Sequence, residues 1–266
     1  MKFSRLVFPG VTMIAATYGL ARFSFGLLLP EIRESLKMSE FASGVISSLF
    51  YLAYCFTIIL STVVTTKKGP KRMIISAGLS AFTGMLLMGV TPNAWVLALG
   101  VLFAGGSTGL ISPPYGAAIS LWITEDKQGK ANTWINSGTS FGIALSGLGA
   151  ILLASNWRLT YIIYAIMTFL IVAWNFTAIP KDGKNPRLRL NKGNLAIRGI
   201  KGAISLSLAS LTLGISTAAF WTFSRSFIEA AGDYPAWQLS GFWVIIGMFG
   251  VLGGFSGALV ERRGLP

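Results

Sequence analysis

Eight long apolar stretches constrain this chain more than any other feature of its sequence. They cover residues 8–29, 41–65, 73–90, 95–122, 133–154, 159–179, 203–223 and 239–260. A helix needs about 20 apolar residues to cross the hydrocarbon core of a bilayer, so each stretch is long enough to span it. Soluble domains carry about 25% charged residues, whereas this chain carries 12% and is 53% hydrophobic. The pattern predicts an all-α polytopic membrane protein with eight transmembrane helices.

Basic residues alternate from one connecting segment to the next along the chain. The N-terminus and the segments after the second, fourth, sixth and eighth stretches are rich in Lys and Arg, and the opposite connections carry only Arg33, Lys37 and Arg158. The positive-inside rule therefore predicts a multi-pass protein of the plasma membrane, here a bacterial cell (inner) membrane, with both termini in the cytoplasm. Because topology accounts for the net charge of +13, we expect the lipid bilayer and not nucleic acid as a partner, with anionic headgroups as a secondary contact.

The domain organisation is predicted from a basic linker and from an internal repeat. Residues 180–202 hold seven basic residues and two prolines, and they divide a bundle of six helices at 1–179 from a segment at 203–266. Gly19 and Gly214, as well as Gly69 and Gly264, are separated by the same offset of 195 residues. Transporters are often built from repeated halves. The seventh and eighth helices are therefore predicted to repeat the first two, as the start of a second bundle.

This topology, the basic linker and several short motifs resemble the major facilitator superfamily of secondary transporters, with the C-terminal part of the second bundle apparently missing. The family's cytoplasmic signature after helix 2 has the form G-x-x-x-D-R-x-G-R-R and recurs after helix 8. Here Thr66 takes the place of the Asp in the first copy, and Glu261 takes it in the second. The resemblance implies a cytoplasmic gate formed by Lys67, Gly69, Arg72, Gly257, Glu261, Arg262 and Gly264.

The fifth apolar stretch resembles the family's glycine-rich helix 5. Gly138, Gly142 and Gly147 match its pattern. Small residues one or two turns apart let helices approach closely in lipid, and the same glycines can serve packing without any role in transport. Pro113 and Pro114 predict a bend in the fourth helix.

Arg22 is the only charged residue deep inside a predicted span. It lies 14 residues after Phe8, or about 21 Å along a helix. A central Arg costs at least ~2.5 kcal/mol on insertion scales. That cost is tolerable if the guanidinium faces a wet cavity, where its fork of donors suits a carboxylate. The alternative is that Arg22 snorkels to the outer headgroups or pairs with a carboxylate at a helix end.

Further candidates for substrate contact come from the helix face of Arg22 and from the family resemblance. Tyr18 lies four residues before Arg22, on the same face. In the resembling fold, helices 1, 2, 4, 5, 7, 8, 10 and 11 line the cavity, which implies Tyr51, Tyr54, Tyr115, Asn136, Thr217 and Trp221 as further candidates. Asn136 is favoured, since an amide in hydrocarbon needs partners. Arg225 is expected at the outer end of the seventh helix, as an interfacial anchor.

Enzymatic chemistry has little support in this sequence. The chain has no histidine and one cysteine, Cys55, so no metal or catalytic constellation is predicted. No phosphate-binding G-x-x-x-x-G-K-[ST] stretch is present, and no cofactor is expected. Carboxylates also lie outside the predicted spans, which leaves H⁺ undecided as a coupling ion.

Two functions follow from these observations. The first is secondary active transport of a small solute, an organic anion or an amphiphilic compound, by alternating access with Arg22 as charge reader. The alternative is a truncated, non-transporting membrane fragment or scaffold, since alternating access requires two bundles around one site. DNA downstream of Pro266 that encodes four more apolar spans would discriminate between them.

Overall fold

The computed structural model describes residues 2–153, 156–181 and 202–255, and within these ranges it contains helices and no strand. Eight of its helices are long and apolar enough to cross a membrane. They are α1 (Phe3–Ser35), α2 (Glu40–Lys68), α3 (Pro70–Val90), α4 (Ala94–Trp122), α5 (Glu125–Leu153), α6 (Trp157–Ala178), α7 (Ala203–Ala231) and α8 (Ala236–Val251). The predicted all-α, eight-span membrane architecture is confirmed.

The helices run alternately up and down, so their ends fall into two groups. We call the end with the α2–α3 and α4–α5 connections, which holds Lys67, Lys71 and Lys127, the basic end. The other end, with the α1–α2, α3–α4, α5–α6 and α7–α8 connections, is the opposite end. Arg158 links three helices at the opposite end. From the start of α6, its guanidinium donates to Ser35 Oγ at the end of α1 at 2.9 Å and to the Thr91 carbonyl after α3 at 3.2 Å.

Local signals in the sequence fix most of the helix ends. Ser39, Asn93 and Asn156 are N-caps whose side chains accept backbone N–H bonds in the first turns of α2, α4 and α6, as their residue types favour. Gly69 ends α2 with φ of 87°, a conformation that favours glycine, and Pro70 starts α3. Helix α4 continues through Pro113 and Pro114, and the bend expected there stays a prediction.

The first bundle has two apolar cores, one above the other. Leu29, Phe50 and Met88 belong to the cluster at the opposite end, and Leu6 and Ile119 to the cluster at the basic end. Helix α1 runs through both clusters. Polar side chains of α1, α2 and α4 lie between them, at the level where the candidate site is found.

Helices α7 and α8 contact the first bundle through different partners. Helix α8 packs closely along α5, and glycines make this approach possible. A Cβ atom added to Gly147 of α5 would lie 2.9 Å from the Ser240 carbonyl oxygen, and one added to Gly247 of α8 would lie 2.4 Å from the Ala144 nitrogen. Helix α7 contacts α1 only through its second half. Residues 204–216 of its first half are exposed, so α7 stands clear of the first bundle at the basic end.

The helix ends also agree with the repeat offset of 195 residues. Under that offset the end of α1 at Ser35 corresponds to position 230, and α7 ends at Ala231. The start of α2 at Glu40 corresponds to position 235, and α8 starts at Ala236.

Candidate functional site

Helix α1 is irregular at its centre. Residues Ala15–Phe23 form a π-helical segment between the α-helical segments Phe3–Ile14 and Ser24–Ser35. Such segments are rare and occur frequently at functional sites. Close packing accompanies the irregularity, because a Cβ on Gly19 would lie 2.2 Å from the Gly142 Cα of α5. The segment contains Tyr18 and Arg22.

Arg22 lies among aromatic rings close to the middle of α1. Its guanidinium carbon is 4.8 Å from the ring centre of Tyr51, 5.3 Å from that of Tyr54 and 5.3 Å from that of Phe23. Cation–π contacts of this kind stabilise the charge. Within the part of the chain that the structure describes, its N–H groups make no hydrogen bond or ion pair. The Arg22 guanidinium is therefore available to bind an anion.

Tyrosines tie this cluster to the neighbouring helices. Tyr18 donates to the Thr108 carbonyl at 3.1 Å, and its hydroxyl lies 2.9 Å from Ser112 Oγ on α4. The Tyr51 hydroxyl donates to the Ala218 carbonyl of α7 at 3.1 Å. The ring beneath Arg22 is thus bonded directly to the second bundle.

Trp221 and Thr217 approach the cluster from α7. Trp221 lines a small pocket with Arg22 and Tyr51, and its ring centre is 4.6 Å from that of Phe23. Thr217, one turn nearer the basic end, donates to the Leu213 carbonyl of its own helix at 2.8 Å. A Cβ on Gly26 would lie 2.1 Å from the Trp221 carbonyl oxygen, so α1 and α7 are in direct backbone contact at this level.

Beyond Trp221 an ion-pair cluster links the two bundles. Arg225 of α7 pairs with Glu31 of α1, donates to the Leu27 carbonyl, and bonds Glu229 Oε1 at 2.9 Å. Its side chain is only 5% exposed. The second oxygen of Glu31 is buried without a hydrogen-bond partner among the described residues.

Two sequence expectations are corrected by this cluster. Arg225 is a buried contact between helices and not an interfacial anchor, because α1 supplies both a carboxylate and a carbonyl to it. Glu31 lies inside a membrane-spanning helix, since α1 continues to Ser35 through Pro30 and does not end at residue 29. The sequence feature that indicates an ion pair at Arg225 is the spacing of Arg225 and Glu229 at i and i+4 on one helix.

Asn136 and Tyr115 occupy different environments from the Arg22 cluster. Asn136 is exposed and donates to the Asn132 carbonyl at 2.8 Å. It lies on the same face of α5 as Ile143, which packs between Leu27 and Trp243, so this face points between the bundles. Tyr115 is 2% exposed and donates to Asn175 Oδ1 at 2.8 Å. The structure does not bring Tyr115 to the cavity, because its hydroxyl is already satisfied in the core.

The residues of the predicted cytoplasmic gate lie at the basic end. Gly69 forms the turn between α2 and α3, and Lys67 and Arg72 are exposed beside it. Lys71 donates to the Ile179 carbonyl at 2.7 Å and so links the start of α3 to the end of α6. Gly257, Glu261, Arg262 and Gly264, the second copy of the motif, lie outside the described residues.

The three glycines singled out on α5 are all points of close approach. A Cβ on Gly138 would lie 2.2 Å from the Val11 carbonyl oxygen, and one on Gly142 would lie 2.3 Å from that of Ala15. Gly147 faces Ser240 of α8. In the described part of the chain no group of three metal-ligating side chains is found.

Comparison with known proteins places this geometry in a family. The model of the Major Facilitator Superfamily matches residues 11–265. The uncharacterized MFS-type transporter YbcL of Bacillus subtilis is 21% identical over 96% of this chain and 66% of its own length. Multidrug resistance protein MdtG of Klebsiella pneumoniae is 26% identical over 64% of this chain and 43% of its own length. The probable L-galactonate transporter of Escherichia coli is 27% identical over 58% of this chain and 35% of its own length.

A solved structure has the same fold. The crystal structure of D-xylose-proton symporter matches 98% of this chain and 68% of that chain, with a TM-score of 0.64 and 11% sequence identity. This chain spans between about a third and two thirds of the length of the curated relatives named above. On the family match and the shared fold, the chain belongs to the Major Facilitator Superfamily of multi-pass membrane transporters.

Proposed function

We propose that this protein is a secondary active transporter that moves a small organic anion or amphiphilic solute across the plasma membrane by alternating access. Its role is transport and not enzymatic chemistry. The observation that carries the proposal is Arg22, a cation near the middle of a spanning helix whose N–H groups have no acceptor among the described residues. An unpaired charge at that depth is costly, and a bound anion would offset the cost.

The residue types around Arg22 favour an anion with an apolar portion. The rings of Phe23, Tyr51 and Tyr54 lie around the guanidinium, and Arg binds a carboxylate or a similar group through paired hydrogen bonds. Trp221 adds a large apolar surface beside it. Tyr18 supplies a hydroxyl one turn from Arg22 on α1. Thr217 and Asn136 lie nearer the basic end, outside the Arg22 cluster, where we propose that they contact the solute on its path.

The contacts between the bundles support alternating access. At the opposite end α1 and α7 are closed on each other through Gly26, Trp221 and Arg225. At the basic end the first half of α7 is clear of the first bundle. With the basic end in the cytoplasm, as positive-inside topology requires, this arrangement is closed to the outside and open to the inside.

The test is transport of matched solutes by the Arg22→Lys variant. Reconstituted protein is assayed with a panel of carboxylates and with their neutral amides. Lys keeps the charge but loses the bidentate geometry, so we expect carboxylate flux at low concentration to fall by about 10- to 100-fold, the equivalent of one charged hydrogen bond. Membrane abundance should stay unchanged.

Arg33→Lys is the matched control, since Arg33 pairs with Glu40 on the exposed surface at 3.1 Å. It should transport normally. Equal losses in the two variants, or equal losses for carboxylates and amides, would contradict the assignment of Arg22 as the anion-binding group.

A further inference from the structure

A long apolar groove runs along the outside of the first bundle, away from the Arg22 cluster. It encloses about 720 Å³ between α1, α5 and α6. Its walls include Phe8, Phe141 and Leu148, whose side chains are 63%, 42% and 45% exposed. From Phe3 to Leu20 on α1 it covers 18 residues, or about 25 Å at the α-helical rise. One leaflet contributes ~15 Å of hydrocarbon, so a whole acyl chain fits lengthwise.

Residue spacing places two basic residues on the helix faces that line this groove, near its basic end. Arg5 precedes the lining residues Thr12 and Ala16 by two and three helical turns, so it shares their face of α1. Lys130 precedes Trp134, Phe141 and Leu148 by four, 11 and 18 residues, which places it on the groove face of α5. Both side chains are exposed, and neither forms an ion pair within the described residues.

The two basic residues also lie at the same depth. Helices α1 and α5 run in the same direction, and a Cβ on Gly10 would lie 2.9 Å from Ile135. Five residues earlier on each helix are Arg5 and Lys130. Both therefore stand level with each other at the basic end, about one turn beyond Trp134, a residue type that favours the headgroup region.

We propose that this groove is a binding site for an anionic phospholipid. One acyl chain lies between α1, α5 and α6, and Arg5 and Lys130 hold the headgroup phosphate. An apolar wall gains little over surrounding lipid when it contacts an acyl chain, so the selectivity comes from the two cations. Each basic residue near an anionic surface favours binding by about fivefold.

The test is lipid binding to the purified full chain by native mass spectrometry. Phosphatidylglycerol and phosphatidylcholine with identical acyl chains are titrated separately. We expect one tightly bound phosphatidylglycerol, favoured about 25-fold from two cations. The double variant Arg5→Gln, Lys130→Gln should reduce the preference to near unity. The charge-matched control Lys37→Gln, Lys68→Gln removes two cations elsewhere and should retain it.

A second variant tests the groove itself. Thr12 is a half-buried lining residue, and Thr12→Phe places a ring in the acyl channel, so binding of both lipids should fall. Equal affinity of the wild-type protein for the two lipids would overturn the proposal, as would an equal loss in the control pair. If Thr12→Phe leaves lipid binding unchanged, the lipid assignment is wrong; if Thr12→Cys also crosslinks to residues 182–201, the occupant is the chain itself.

Discussion

Removing the Arg225 ion pairs should open the end of the protein that the structure shows closed. Arg225 is 5% exposed, and its partners Glu31 and Glu229 are 22% and 32% exposed. Breaking a buried pair costs about 3–5 kcal/mol, and the partial exposure of the Glu31 and Glu229 side chains favours the lower limit. Arg225→Met should therefore weaken the closed arrangement by about 3 kcal/mol, which raises the open population about 150-fold.

Glu31→Gln is a milder form of the same perturbation. The amide keeps an acceptor for Arg225 and can place its nitrogen where the unpartnered carboxylate oxygen lies, so mainly the charge is lost. The difference between a charged and a neutral hydrogen bond is about 1 kcal/mol. We expect the open population to rise by a factor of about five.

Thiol labelling measures this opening. In a Cys55→Ser background, Thr222→Cys places a reporter that is 8% exposed at the contact of α7 with Gly26. A membrane-impermeant maleimide added at the opposite end should label it faster in the order wild type, Glu31→Gln, Arg225→Met. Arg33→Gln breaks an exposed pair at the same end and is the control, since such pairs contribute 0–1 kcal/mol. An unchanged rate in Arg225→Met, or an equal rise in the control, would refute the role of this cluster.

Two further predictions concern contacts of the site. Tyr51→Phe keeps the ring beside Arg22 but removes the hydrogen bond to the Ala218 carbonyl. The labelling rate at position 222 should therefore rise about fivefold, while the affinity for carboxylates stays unchanged. A fall in carboxylate affinity would instead show that the hydroxyl contacts the solute directly. Gly142→Ala forces a Cβ to within 2.3 Å of a backbone oxygen and should destabilise the purified protein by about 1–3 kcal/mol, seen as a lower Tm. Gly44→Ala, where a Cβ meets nothing within 4 Å, is its control, and equal losses in the two would show that packing against α1 does not matter.

The spans were predictable because hydropathy and charge act on whole helices. A bilayer requires about 20 apolar residues per crossing, so the number and type of helices follow from the hydropathy pattern along the chain. The ends of α1 did not follow, since Glu31 and Pro30 are typical of a boundary in sequence. Helix α1 continues past both because Arg225 compensates the carboxylate, and that partner lies almost 200 residues away along the chain.

The candidate site was predictable only in part, for a similar reason. Arg22 could be predicted because it is a charged residue inside an apolar membrane-spanning stretch. The aromatic rings around it did not, since many other aromatic residues lie in equally apolar sequence and only the packing of α1 against α2 selects Tyr51 and Tyr54. Tyr115 has the same residue type as these two, but its bond to Asn175 commits it to the core.

The π-helical segment of α1 has a consequence for how this helix tolerates change in length. A segment with extra residues per turn can be converted to regular helix by a one-residue deletion, for example of Ala21. The deletion removes about 100° of rotation around the helix axis, and the change from wide to regular turns restores rotation over the rest of the segment. These two changes oppose each other, so Gly26 and Glu31 would rotate less relative to Met13 than after the same deletion in a regular helix. The centre of α1 is therefore the part of this helix where a change in chain length disturbs the contact with α7 least.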